Sequence, residues 1–166
     1  MTRRFAALTA AALTSAAVAV PALAQGGGNT TTVSFTELGK GSQFHFVDQA
    51  PKTKIVKGNP RKISAGDELV ISNRLADPGG ARIGELQATC TATHTTRRFD
   101  KAGFICWGDF TFTDGSTMAA NVAGLTAKVT NGAIVGGTGT YAGARGTFTS
   151  TEQSNGDSAD LVTLLK

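Results

Sequence analysis

The chain has 166 residues, of which 40% are hydrophobic and 17% charged, with a formal net charge of +4. That length and apolar content suit one domain with a real core. So small a charge excess, half of it carried by Arg3 and Arg4 at the extreme N-terminus, argues against a nucleic-acid partner.

The first residues, Met1-Thr2-Arg3-Arg4, form a short positive region, and Phe5 to Val20 carries no charge. Pro21 then precedes Ala22-Leu23-Ala24, small residues spaced as a signal-peptidase site requires. The apolar run is Ala-rich and shorter than the ~20 apolar residues of a membrane span. Residues 1–24 therefore read as a signal peptide cleaved after Ala24. The expected product is secreted and has no membrane span. Residues 25–31, a Gly/Thr-rich stretch, read as a flexible lead, and 32–166 as the folded domain.

Beyond the lead the dominant period is two, with turn residues between the runs. Thr32–Leu38 and Gln43–Val47 read as two strands split by Gly39-Lys40-Gly41. From Asp48 to Gly66 the sequence reads as a loop, with Lys52, Lys54, Lys57, Arg61 and Lys62 solvated among Pro51, Gly58 and Pro60. Asp67–Leu75 places Leu69, Ile71 and Leu75 on one face, and Asp77-Pro78-Gly79-Gly80 marks a turn. Ala81–Thr95 aligns Leu86, Ala88, Cys90 and Ala92, and Gly103–Thr113 aligns Phe104, Cys106, Phe110 and Phe112. Asp114-Gly115 predicts a type I′ hairpin turn into Ser116–Leu125, and Asn131-Gly132 a second turn before Ala133–Val135. Gly146–Thr151, the turn Asn155-Gly156 and a last strand over Ser158–Leu165 complete about eight short antiparallel strands, an all-β barrel or sandwich.

Cys90 and Cys106 are the two cysteines of the chain. Their spacing is a poor metal set, and free thiols oxidise outside the cytoplasm. Each has the parity of the apolar face of its strand, and the strands are neighbours across Arg97–Ala102. A disulfide between them follows, worth ~3 kcal/mol in the loop-entropy account.

Ile134-Val-Gly-Gly-Thr-Gly-Thr-Tyr-Ala142 contains G-x-G-x-x-A, yet no helix or βαβ unit follows, as a dinucleotide fingerprint requires. The run Gly136-Gly-Thr-Gly-Thr-Tyr-Ala-Gly-Ala-Arg-Gly146 instead resembles the signature shared by plant dirigent proteins and allene oxide cyclases, above all the bacterial allene-oxide-cyclase-barrel-like proteins. The Gly66-Asp67-Glu-Leu-Val-Ile-Ser strand and the paired cysteine strands extend the resemblance over about Ser64–Thr151. It implies a single antiparallel eight-stranded β-barrel of calycin type that holds an apolar small molecule, works without a cofactor and forms a homo-oligomer, often a dimer or trimer. An interior of that size is filled by side chains or holds one small ligand.

Candidate site residues are few. No Ser-His-Asp set, paired-carboxylate motif or metal cluster stands out. Arg145 either anchors the glycine turn or binds a ligand carboxylate bidentately. Tyr141 can plug a barrel end. His94 has the inward parity of Cys90 but lies at a strand end, whereas His45 faces outward between Phe44 and Phe46. Trp107 has the parity opposite to Cys106, so it reads as an oligomer contact or a ligand wall. Asp67 opens a strand, and Asp77, Asp114 and Asp157 belong to turns. With no carboxylate or histidine evident deep in a strand, the expected function is binding of an apolar molecule, steering its coupling as dirigent proteins do. The alternative is an allene-oxide-cyclase-like isomerase or cyclase, which needs a polar group aimed into the barrel. Export itself is checked by N-terminal sequencing of the secreted protein, which is expected to begin at Gln25; a chain still starting at Met1 would overturn the cleavage.

Overall fold

The computed structural model describes residues 30–49, 53–56, 60–124 and 128–165. The expected signal peptide, residues 1–24, and most of the expected lead, residues 25–31, lie outside these residues. Nine strands follow in order: β1 (Thr30–Asp48), β2 (Lys54–Val56), β3 (Glu68–Ala76), β4 (Arg82–Ala92), β5 (Phe104–Phe112), β6 (Thr117–Ala123), β7 (Val129–Thr138), β8 (Gly146–Glu152) and β9 (Ser158–Leu165). All pairings are antiparallel in the order β2-β1-β3-β4-β5-β6-β7-β8-β9, and β1 also pairs with β9. That last pairing closes a barrel of eight strands, with β2 added on the edge of β1. Short 3₁₀ turns at Phe99–Lys101 and Gly139–Tyr141 are the helical segments among the described residues.

Where two strands were expected at the N-terminus, β1 is one. It pairs with β9 from Thr30↔Leu165 to Glu37↔Ser158, and with β3 from Thr36↔Ala76 to Leu38↔Arg74 and again from Gln43↔Ser72 to Val47↔Glu68. The register shifts between Leu38 and Gln43, so the expected break is a bulge within a continuous strand. Gly39 sits there because the neighbouring turn leaves no room: a Cβ on it would lie 2.2 Å from the Gly156 carbonyl oxygen. The Gly39 N–H donates to Asp157 Oδ1 at 2.8 Å.

Two turn assignments change. Asn131-Gly132 lies inside β7, with Asn131 paired to Thr149 and Gly132 to Val122 and Phe148; a Cβ on Gly132 would meet the Asn121 carbonyl oxygen at 2.5 Å. Close backbone approach, rather than a turn, is what this glycine permits. Asp114-Gly115 is a turn but not type I′, because no non-glycine residue has a positive φ. The Phe112 N–H donates to the Ser116 carbonyl, and the Gly115 N–H to the Phe112 carbonyl. This is a three-residue loop in which a type I turn ends on a left-handed glycine. The same pair of bonds recurs at Asp77–Ala81 and at Gln153–Asp157, with Gly80 and Gly156 in the glycine position.

The interior holds two apolar clusters. One gathers Phe35, Leu75, Leu86, Phe110, Phe112, Met118, Ile134, Phe148 and Val162, with Phe35 edge-on to Phe110 and Phe112. The other gathers Phe46, Ile63, Leu69, Ile71, Phe104 and the two cysteines. Cys90 and Cys106 are directly opposed on β4 and β5, both point inward, and they form the disulfide. Asp67 is buried as a local anchor, accepting from the N–H groups of Gln49 at 2.9 Å and Ser64 at 2.7 Å. Replacing both cysteines by serine is expected to lower the unfolding free energy by ~3 kcal/mol, read from the urea midpoint. A double variant as stable as the parent would contradict a structural role for the bond.

Candidate functional site: a cavity with buried carboxyl groups

Between the two clusters lies a cavity of about 510 Å³. Register explains why it is there. On β4, β5 and β6 the inward residues form three cross-strand rows: Leu86–Phe110–Met118, then Ala88–Gly108–Ala120, then Cys90–Cys106–Val122. The middle row has almost no side chain, so the barrel is left unfilled at that level. Bulk is excluded there by contact as well as by choice of residue: a Cβ on Gly108 would lie 2.9 Å from the Ala88 Cβ and 3.2 Å from Leu86 Cδ1.

The opposite arc of the ring, β8–β9–β1 with the adjoining β3, carries polar groups instead. Glu37, Asn73 and Ser150 line the cavity. Asn73 Nδ2 donates to Glu37 Oε2 at 2.6 Å, which fixes that carboxyl against the wall. Asp160 stands directly opposite Ser150 in register and one step along the β1–β9 ladder from Glu37. It is 3% exposed, and among the described residues neither of its oxygens makes a hydrogen bond of good geometry. Phe44, Pro60, Phe99, Lys128 and Glu152 complete the lining, and Phe44, 58% exposed, marks the mouth.

Burial pushes the Asp160 carboxyl up to about 9, with the nearby charge of Glu37 as the next cause, while the Ser150 hydroxyl offsets a small part. Burial also raises Glu37, against the lowering effects of its hydrogen bonds with Asn73 and Asp160. Two carboxyls in one apolar wall cannot both ionise cheaply. The pair thus retains a proton at neutral pH, as an acid catalyst requires.

The four candidates read from the sequence do not line this cavity. Trp107 is 62% exposed on the outer face, between Thr89 and Asn121. Tyr141 packs on Phe112 with ring centroids 5.0 Å apart, at the end of the barrel away from the mouth. Arg145 is exposed, and its carbonyl accepts from the Leu165 N–H at 2.8 Å. His94 is exposed, with its Nε2 3.0 Å from the Lys101 carbonyl oxygen. The expectation that no strand carries a carboxylate into the interior is overturned by Glu37 and Asp160. Parity was the available signal: Glu37 follows buried Phe35 by two, Asn73 lies between Ile71 and Leu75, and Asp160 precedes Val162 by two.

The pH dependence follows in sign. A carboxyl raised by folding keeps its proton in the native state while the unfolded chain loses it, so stability falls as pH rises from the ordinary value of 3.8 towards about 9. Glu37 acts in the same direction. Asp160→Asn is expected to flatten this decline and to raise the melting temperature by ~3 °C or more at mildly alkaline pH. Thermal melts across that range check it; a variant that melts lower at alkaline pH would show that the carboxyl is not strained by burial.

Comparison with known proteins agrees with this architecture. Residues 47–163 match the model of the allene oxide cyclase barrel like domain. A search of curated protein sequences gives no match. Among solved structures, pyocyanin demethylase is 22% identical with a TM-score of 0.62, over 81% of this chain and 99% of its own. The pterocarpan synthase dirigent protein PsPTS1 is 19% identical with a TM-score of 0.55, over 82% and 95%. The Diels Alderase AbmU from Streptomyces koyangensis is 21% identical with a TM-score of 0.54, over 86% and 71%. At these identities the likeness is one of fold. The closed barrel, the glycine run before β8 and the match over most of the domain establish that the chain belongs to the allene oxide cyclase barrel-like family.

Proposed function

We propose that the barrel takes up an apolar small molecule and isomerises or cyclises it by proton transfer from the Glu37–Asp160 pair, without a cofactor. One observation carries this reading: Glu37, a carboxyl raised by burial, lines a cavity whose remaining wall is mostly apolar, with the buried carboxyl of Asp160 close by. In such a site Glu37 donates its proton to an oxygen of the bound molecule, so that a developing oxyanion is neutralised as a bond opens or migrates. The resulting carboxylate then takes a proton from carbon, which leaves the reaction redox-neutral. Asn73 positions Glu37, and burial raises its proton affinity. Low dielectric and exclusion of bulk water strengthen both effects.

A binder that steers coupling without proton transfer has no need of a buried acid, so the pair favours the isomerase or cyclase reading. The disulfide, and the lack of a long apolar helix among the described residues, are compatible with export. Native mass spectrometry of the exported protein, followed by turnover of whatever co-purifies, is the direct test. Glu37→Gln is expected to keep binding and to lose ~10²–10⁴-fold in turnover, the usual range for a general acid. Unchanged turnover in that variant would favour the steering role instead.

A further inference from the structure

We infer that the cavity is built for a flat, uncharged, conjugated molecule that lies on the Ala88–Gly108–Ala120 row with a hydrogen-bond-accepting oxygen directed at Glu37, and that it rejects carboxylates. This inference rests on the small-molecule reading above and narrows it to a substrate class: fused-ring or extended conjugated ketones and their like.

The shape argument starts from the row itself. Ala88, Gly108 and Ala120 are direct cross-strand neighbours on β4, β5 and β6, so they present a smooth patch across three strands. At strand spacing that patch is about 10 Å wide, the width of two fused six-membered rings. Larger residues bound it on both sides: Leu86 and Phe110 on one, the Cys90–Cys106 disulfide and Val122 on the other. A plane with raised borders accepts a plate and disfavours a globule. The cavity volume of about 510 Å³ lies within the range that encloses a molecule of drug size.

The charge argument comes from the opposite arc. There a ligand meets Glu37, with Asn73 holding it and Asp160 packed behind. Among the described residues lining the cavity the one cation is Lys128. An anionic ligand would bring a third carboxyl to two already crowded ones, with no counter-charge beside it. A neutral acceptor oxygen instead receives the proton-bearing hydrogen bond that this wall offers. A flat ketone satisfies both walls at once.

The test uses the exported, disulfide-bonded protein and the fluorescent naphthyl ketone prodan, whose emission reports local polarity and hydrogen bonding. The parent is expected to bind prodan with a blue-shifted emission. The carboxylate with the same dimethylaminonaphthalene ring should bind more than tenfold more weakly, and Glu37→Gln should narrow that gap. Adamantyl methyl ketone, neutral but globular, should compete more than tenfold less well. Ala120→Leu fills the row and should weaken prodan more than tenfold; Ala120→Val, a smaller change, decides the point should the leucine variant fail to fold by near-UV circular dichroism. Carboxylate binding as tight as the ketone, equal competition by the adamantyl ketone, or full prodan affinity in the row variants would each overturn the inference. So would no binding of prodan at all, and in that event a co-purified ligand that turns over would leave the proposed activity standing.

Discussion

β1 carries the ladder to β9 and the ladder to β3 at once at Thr36 and Glu37, which closes the ring of strands, and the chain bends just past this overlap, between Leu38 and Gln43. The bend needs a residue without a side chain where β1 crosses the β8–β9 turn, and Gly39 supplies it, tied to that turn through Asp157. Glu37 is the last β1 residue paired with β9. Past it β9 has ended, and the mouth of the cavity opens beside the same turn, at Gly156 and Ser158. Closure of the barrel and access to its interior are consequences of one irregularity.

The interior balances two opposite departures from a filled core. On one arc a row of minimal side chains forgoes packing that larger residues would supply. On the other arc two carboxyls sit where burial disfavours their ionised forms. The small-residue row and Glu37 line one cavity, and tight packing flanks it: interlocked phenylalanines on one side and a covalent cross-strand bond on the other. A sequence selected for stability alone has no reason to keep either defect. Their coincidence is the physical argument that this level of the barrel serves a ligand.

Much of the fold was legible because it is written in parity. Leu69, Ile71 and Leu75, or Cys90 and Cys106, need only a period of two to be placed on one face, and the disulfide follows from that face being shared. What parity could not show was how glycines are used. Gly132 reads as half of a turn dipeptide, yet it serves close contact inside β7. Gly115 reads as one turn type and forms another, because Asp114 stays at negative φ. The site was harder for a different reason. Glu37, Asn73 and Asp160 are polar residues in strands of mixed composition, and a polar residue on an apolar face is read as noise until closure brings β9 beside β1. His94, Tyr141, Arg145 and Trp107 stand out as residue types, but nothing in their local sequence says which way they point relative to a cavity formed by other strands.

β2 is three residues long and pairs with only the last three residues of β1, Phe46 to Asp48. It covers the far end of the stretch of backbone that β9 leaves behind, and Lys54 and Asp48 form an ion pair across it at 3.2 Å. Exposed strand edges are templates on which another chain can add, and short, charged edges resist such addition. Without β2, the end of β1 would be a bare edge on which another chain could add. A stub of strand and a surface ion pair in that position shorten the edge that the barrel presents.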